Sequence, residues 1–245
     1  MINQADAAAA PGQAAAAQPA PCPTGAHALR KCAGVASIGH PYKQETNLIH
    51  RRTFTAAGLV ALGGALAGCA TTGGTWVTLV DGTRMNNFDG WTPVGAGNWS
   101  FTEGTLQGKG GSAGFLVSKD SYANFEMRAE FWADPDCNSG IFMRCQDRSK
   151  ITADNSYEVN VFDKRPDPSY GTAAIVNVAK VAQPYPQAAN RWNTFDIAAR
   201  GDRLVVAFNG VQTEDVRDAR FTAGPVALQS AGGTIRWRKV LIRSV

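Results

Sequence analysis

The chain predicts an all-β sandwich, and three observations carry that prediction. Beyond about residue 75, no stretch of useful length shows helical periodicity. Short runs of β-branched and aromatic residues recur there, alternating apolar and polar at period two. Turn signals punctuate the runs, most strongly Asn209-Gly210, a pair suited to the two positive-φ positions of a tight hairpin loop. About 170 residues remain for this region, enough for one domain with a sizeable core.

The elements follow in order. Trp76 to Val80 is a first strand, ended by Asp81-Gly82. Trp99 to Phe101 and Thr105 to Gln107 flank Glu103-Gly104 as a hairpin, and Phe115 to Val117 is short and apolar. Phe125 to Trp132 alternates cleanly: Phe125, Met127, Ala129 and Phe131 point inward, Glu126, Arg128 and Glu130 outward. Ser139 to Cys145 and Tyr157 to Phe162 have strand chemistry. The stretch from Asp163 to Asn190 holds Pro166, Pro168, Pro184 and Pro186 and reads mainly as long loops, with Thr172 to Val178 a further strand candidate. Trp192 to Ala199, Leu204 to Phe208, Pro225 to Gln229 and Thr234 to Ile242 complete the set.

The N-terminal part reads differently. Residues 1–47 are rich in Ala, Pro and Gln without periodicity, so they cannot bury enough apolar area to offset chain entropy. They are expected to be a disordered extension or an annotation artefact, with translation starting near Leu48 or Ile49. Residues 48–68 have the order of a bacterial export signal: basic His50-Arg51-Arg52, a short apolar run from Ala56 to Ala67, then small residues. The run is too short to span a membrane. Its glycines and the Arg pair suit a twin-arginine signal, with the general export route as the alternative. Leu66-Ala67-Gly68-Cys69 looks like a lipobox, which implies lipidation of Cys69 and a lipid anchor in the bacterial cell envelope, on the periplasmic side or the outer membrane. Residues 69–75 are then the lipidated Cys and a linker, and 76–245 the folded domain.

Removing the leader changes the chemistry available. Five of the 24 basic and two of the 20 acidic residues precede Ala70, so the domain carries a net charge of +1 and offers no argument for nucleic-acid binding. All three histidines (His27, His40, His50) are upstream as well, which excludes Ser-His-Asp and Cys-His catalysis and His-ligated metals in the domain. Cys137 and Cys145 are the only thiols beyond Cys69. Eight extended residues span about 25 Å, too far for a disulfide, so both are expected to be free and mostly buried.

Two strands put polar groups on one face. Asn138, Gly140, Phe142 and Arg144 point one way, opposite Ile141 and Met143; Glu158, Asn160 and Phe162 share a face opposite Tyr157, Val159 and Val161. Such a face is either an ordinary solvated sheet surface or the floor of a polar groove with an aromatic platform. Asp134 and Asp136 flank Pro135 and read as a turn or a calcium site.

The order of motifs resembles the 3-keto-disaccharide hydrolase family. The matching pieces include Thr78-Leu79-Val80-Asp81-Gly82, Phe88-Asp89-Gly90-Trp91, Glu103-Gly104-Thr105-Leu106, Asn138-Ser139-Gly140-Ile141 with Arg144, and Tyr157-Glu158 with Asp163. Arg191-Trp192-Asn193, Phe208-Asn209-Gly210, Gly224-Pro225-Val226-Ala227-Leu228-Gln229 and Ile235-Arg236-Trp237-Arg238-Lys239-Val240 continue it to the C-terminus. The family's usual Gln two residues after the Tyr-Glu glutamate is Asn160 here. The resemblance implies a concanavalin A-like, laminin-G-like jelly roll.

It also implies cleavage of glycosides already oxidised at C3, by removal of the C2 proton, elimination of the aglycone and addition of water. Under that reading Glu158 is base or metal ligand, Arg144 holds the oxyanion or a hydroxyl, and Asp163 is a second acid or metal ligand. Asn138, Asn160 and Gln229 bind hydroxyls, with Phe142 and Trp132 as stacking surfaces. The cofactor is open, a divalent metal being the candidate. The partners are an oxidised saccharide, the membrane and a sugar oxidoreductase supplying the substrate. Each residue also has a plainer role: a cross-strand pair for Arg144 and Glu158, a turn for Asn138-Ser139-Gly140, backbone satisfaction for Gln229, a loop cap for Asp163. The alternatives are a non-catalytic lectin-like module, in which Trp132, Phe142 and Phe162 stack on sugars, and an envelope adhesion or scaffold protein.

Overall fold

The computed structural model describes residues 74–245. The N-terminal extension, the export signal and Cys69 lie outside the described residues. Two antiparallel sheets face each other. The larger is built from β1 (Val77–Asp81), β3 (Asn98–Thr102), β4 (Thr105–Lys109), β6 (Phe125–Ala133), β9 (Trp192–Arg200), β10 (Arg203–Phe208), β11 (Val211–Arg217) and β13 (Thr234–Ser244). The smaller contains β2 (Trp91–Gly95), β5 (Gly114–Ser118), β7 (Ser139–Met143), β8 (Tyr157–Val161) and β12 (Ala227–Ser230). The larger sheet runs β11-β10-β9-β6-β13-β4-β3, and the smaller β2-β5-β12-β7-β8. The expected all-β jelly roll is the architecture found.

Alternation explains the packing. Phe125, Met127, Ala129, Phe131 and Ala133 of β6 point into the sandwich, and the residues between them do not. Phe131, Phe195 and Trp237 meet there with ring centroids 5.0 and 5.4 Å from Phe131. Truncating such a ring costs about 3–5 kcal/mol, so this cluster fixes the sheet spacing. β13 is long enough to serve two neighbours on one edge. Its first half pairs with β4, its second half with β1, and a bulge between Trp237 and Lys239 separates them.

The hairpins close as the turn residues require. Glu103 and Gly104 have φ of 49° and 68°, and Asn209 and Gly210 have 51° and 80°. One strand escapes the sequence pattern. β2 contains Pro93, which argues against a strand, but β2 is a sheet edge where a missing N–H is tolerated. Cys137 and Cys145 are free and buried, as their separation requires. Burial pushes the Cys145 thiol up to about 12, so neither cysteine is a ready nucleophile.

The smaller sheet departs from a half-solvated sheet. Every residue of β5, β7 and β8 is buried. Their inner face joins the main core through Leu116, Ile141, Met143, Val159 and Val161. Their outer face carries a second apolar cluster of Phe115, Val117, Phe142, Cys145, Ile151 and Ala227. That outer face is therefore covered, not open sheet surface.

Candidate functional site

The covered outer face holds the sequence-selected polar residues on a grid set by strand register. Phe142 lies opposite Glu158, and Gly140 opposite Asn160, across β7 and β8. Ala227 lies opposite Phe142, and Gln229 opposite Phe115. Continuing that register sets Gln229 across from Gly140. Gly140 thus leaves a notch between two amide side chains. A Cβ at Gly140 would stand 3.4 Å from Glu158 Oε1 and Cγ, so the carboxyl leans over the notch.

A segment after β8 locks this arrangement. Val176 N–H donates to the Glu158 carbonyl at 2.9 Å; Asn160 N–H donates to Ala174 O, and Ala173 N–H to Asn160 O, at 3.0 and 2.9 Å. The strand candidate at 172–178 is thus realised as a bridged segment along the free edge of β8. It keeps Glu158 and Asn160 from sitting on an exposed sheet edge, and so removes them from water.

The polar atoms of the notch lack protein partners. The Asn160 amide nitrogen donates to Tyr170 O at 2.8 Å, which leaves Oδ1 aimed elsewhere, buried and unpartnered. Gln229 Oε1 is likewise buried without a donor. Glu158 is 7% exposed, and among the described residues nothing donates a hydrogen bond to its carboxyl. Burial raises its pKa to about 7, with the charge of Arg165 pulling the other way. Unsatisfied buried acceptors cost about 1–3 kcal/mol each, so two of them beside one carboxyl call for an explanation, and donors from a ligand would supply it. Asn138 borders the notch at the end of β7, its backbone tied to Gly232 O at 3.0 Å and its side chain half-buried. Phe142 is buried edge-to-face against Phe115 at 5.3 Å and forms the notch's apolar wall.

Three residues do not take the expected places. Arg144 follows β7 with φ of 52°, which turns its side chain away from Glu158. The guanidinium donates to Ala123 O at 2.9 and 2.6 Å, to Gly201 O at 2.8 Å and to Phe221 O at 2.9 Å. It is fully buried and holds three loops together, with four of its five N–H donors committed to backbone carbonyls and the group turned away from the notch. The Asp163 carboxylate is also taken. It accepts from Thr172 Oγ1 at 2.6 Å and from the N–H groups of Ala188 and Ala189 at 2.9–3.0 Å, so it pins loops as a cap does. Trp132 belongs to β6, where Phe131 and Ala133 face the core. It therefore lies on the outer face of the larger sheet, on the opposite side of the sandwich, under the Arg236 guanidinium at 5.3 Å.

Metal candidates fare similarly. Asp163 is committed to Thr172, Ala188 and Ala189, and among the described residues no group of three or more His, Cys, Asp or Glu side chains is placed to hold a metal. Asp134 Oδ1 caps the Asp136 N–H at 2.9 Å and Asp136 pairs with Lys164 at 2.6 Å, so this loop is a turn. Two shallow cavities of about 300 and 420 Å³ lie over the larger sheet, lined by residues such as Arg128, Asp196 and Trp76, far from the notch. Most of their charged side chains are already paired, Arg128 with Asp196 at 3.0 Å for example, whereas the unpartnered amide acceptors gather on the smaller sheet.

A jelly roll whose covered sheet face presents a carboxyl, two free amide acceptors and an aromatic wall has the lining of a site for a polar small molecule. The chain belongs to the 3-keto-alpha-glucoside-1,2-lyase-like family, whose model matches residues 75–243. Among solved structures it is similar to two candidate glycosyl hydrolases from Parabacteroides distasonis. One has a TM-score of 0.61 at 15% identity and covers 69% of this chain and 94% of the other. The second has 0.56 at 23%, covering 70% and 100%. The carbohydrate binding module CBM66 from Bacillus subtilis has the same fold, with a TM-score of 0.52 at 21% identity, covering 65% and 99%. No curated protein matches the chain.

Proposed function

We propose that this protein cleaves glycosides carrying a ketone at C3 of one sugar, with Glu158 as the base. The observation behind this reading is a nearly buried carboxyl, free of protein donors and titrating near neutrality, set over a notch lined by unpartnered amide oxygens. The C3 ketone acidifies the C2 proton. Glu158 takes that proton, the electron pair passes to the C3 oxygen as an enolate, and its return expels the aglycone from C1. The aglycone oxygen takes up a proton, and water then adds across the resulting C1–C2 double bond. Asn160, Gln229 and Asn138 accept sugar hydroxyls, and Phe142 packs on the ring. The chemistry needs no histidine, consistent with a histidine-free domain.

The family membership supports this reading. A sugar oxidoreductase is then required upstream, since ordinary glycosides lack the ketone. Lipidation of Cys69 and attachment to the bacterial envelope belong to the same proposal and are tested by mass spectrometry of the membrane fraction for a diacylglyceryl Cys69. The fold is shared with a carbohydrate binding module, so the second reading is ligand binding without turnover. Incubating the full chain with 3-keto-trehalose and following glucose release separates them. Release abolished by Glu158→Gln supports the lyase reading; saturable binding without release supports the module.

A further inference from the structure

The site as described has a base and hydroxyl acceptors but no cation for the enolate, because Arg144 is committed to backbone carbonyls. We propose that Arg165 is that cation: its guanidinium holds the C3 oxygen of the bound keto-sugar while Glu158 removes the C2 proton. This rests on the C3-keto reading above.

The turn that follows β8 presents Arg165 and little else. Arg165 N–H closes the turn on Phe162 O at 3.4 Å, and Pro166 follows it. Its charged neighbours are all engaged. Asp163 is held by Thr172 and by the Ala188 and Ala189 amides; Lys164 pairs with Asp136 at 2.6 Å; Asp167 caps Ser169 and lies 3.5 Å from Lys180. Arg165 alone in that turn has no hydrogen bond or ion pair from its side chain among the described residues, although it is half-buried. Side chains that pin the turn on both sides fix where Arg165 stands, so binding has only its own side chain to order. The turn abuts the notch, because Tyr170 O at its far end accepts from the Asn160 amide nitrogen at 2.8 Å, and the Arg165 charge bears on Glu158 from there.

The chemistry asks for this arrangement. When the C2 proton moves to Glu158, negative charge appears on the C3 oxygen two bonds away. A base and a cation must therefore flank one H–C–C=O unit. A guanidinium stays charged at any working pH and offers paired donors to one oxygen. In the ground state it meets a neutral ketone, in the transition state an anion. Its contribution falls on kcat more than on KM.

The test uses the full chain as wild type, Arg165→Gln and Arg165→Lys, with 3-keto-trehalose as substrate. The Gln variant is expected to lose about 10²–10³-fold in kcat with little change in KM, and C2 hydrogen–deuterium exchange falls with it. The Lys variant recovers part of the loss. Thermal midpoints stay nearly level, since the Arg165 side chain has no hydrogen bond or ion pair to lose; a residue that braces the turn through such bonds would lower the midpoint instead. A Gln variant with kcat within about twofold of wild type overturns the proposal. If the wild type releases no glucose, the lyase reading fails by itself, and Arg165 is read from calorimetric titration with 3-keto-trehalose and trehalose. Preference for the keto-sugar that vanishes in Arg165→Gln keeps Arg165 as the ketone's donor. Equal binding of both sugars, or none of either, overturns it.

Discussion

Phe142 and Glu158 face each other across β7 and β8 on the covered side of the smaller sheet, so the one carboxyl of the site is packed against an aromatic wall. That packing, not a charged neighbour, sets its proton affinity. Removing water from one side of a carboxyl disfavours the anion, and the Glu158 pKa rises to about 7. A base works best when its pKa lies near the working pH.

The first prediction is the pH profile. Glu158 acts in its ionised form, and the ionised fraction grows as pH rises through about 7. kcat/KM is expected to climb about tenfold per unit below that point and level off above it. Steady-state rates on 3-keto-trehalose from pH 5 to 9 check this. A profile that is flat from pH 5 removes Glu158 from the base role. Glu158→Gln should remove turnover with the thermal midpoint at pH 8 unchanged or raised, since a neutral amide replaces a buried anion.

Stability should run the other way with pH. Glu158 and Glu214 both have folded pKa values raised to about 7 by burial, against an ordinary 4.5. Glu214 faces inward from the edge strand β11 opposite Val206, and its Oε1 has no partner. An inward carboxylate on an edge strand also discourages pairing with another chain. Between about pH 4.5 and 7 the unfolded chain releases these protons while the folded one keeps them. Stability is therefore full below about 4.5 and is lost as pH rises through about 7, by at most about 1.4 kcal/mol per unit for each group. Below pH 4.5 the opposite term takes over, because Glu126 is held low by Arg243 and loses that pairing on protonation. Urea midpoints should peak near pH 5 and fall toward pH 8. Glu214→Gln should remove about half of the fall; an unchanged slope would show that Glu214 ionises without cost.

The sandwich was legible in the sequence because alternation and turn pairs are local signals. β6, β13 and the Asn209-Gly210 hairpin needed nothing else. The covered outer face was not legible. Phe115, Phe142 and Ile151 come together only through register and through a loop that returns over the sheet, and period-two alternation cannot distinguish covering from solvent. The same limit explains Arg144 and Asp163. Both have the right residue type at the right spacing, but one positive-φ residue turned the first away and backbone amides claimed the second. Trp132 failed for a simpler reason: it is on the other sheet. Arg165 carried no signal beyond its charge, since its importance lies in what its neighbours already hold.

Gly140 tests the notch. A methyl there would stand 3.0 Å from Val159 O and 3.4 Å from Glu158 Oε1, which calls for a shift of a few tenths of an ångström. Gly140→Ala is expected to cost about 1 kcal/mol of stability or slightly more. Its larger effect falls on the ligand, because the methyl occupies the space between Asn160 and Gln229. One misplaced methyl in a pocket is worth about tenfold or more in affinity. Titration of the variant with 3-keto-trehalose, compared with its thermal midpoint, separates the two effects. Undiminished affinity would move the binding site off Gly140.

Arg144 gives the sharpest contrast between sequence and structure. As an oxyanion holder it would tolerate replacement structurally and lose activity alone. As the buried tie between Ala123, Gly201 and Phe221 it should behave in the opposite way. Removing it strands three loop carbonyls, and Phe221 N–H also depends on Tyr157 Oη at 3.1 Å, so the loops before β6 and after β9 and β11 loosen together. Arg144→Met should cost about 3–5 kcal/mol, since three carbonyls lose their donor at about 1–3 kcal/mol each, and Arg144→Lys should not restore it, since one ammonium cannot span three carbonyls. Denaturation midpoints measure this directly. Residual folded protein at low temperature should still bind keto-sugar, because the Glu158 notch does not touch Arg144. A stable Arg144→Met protein devoid of activity would return Arg144 to the site.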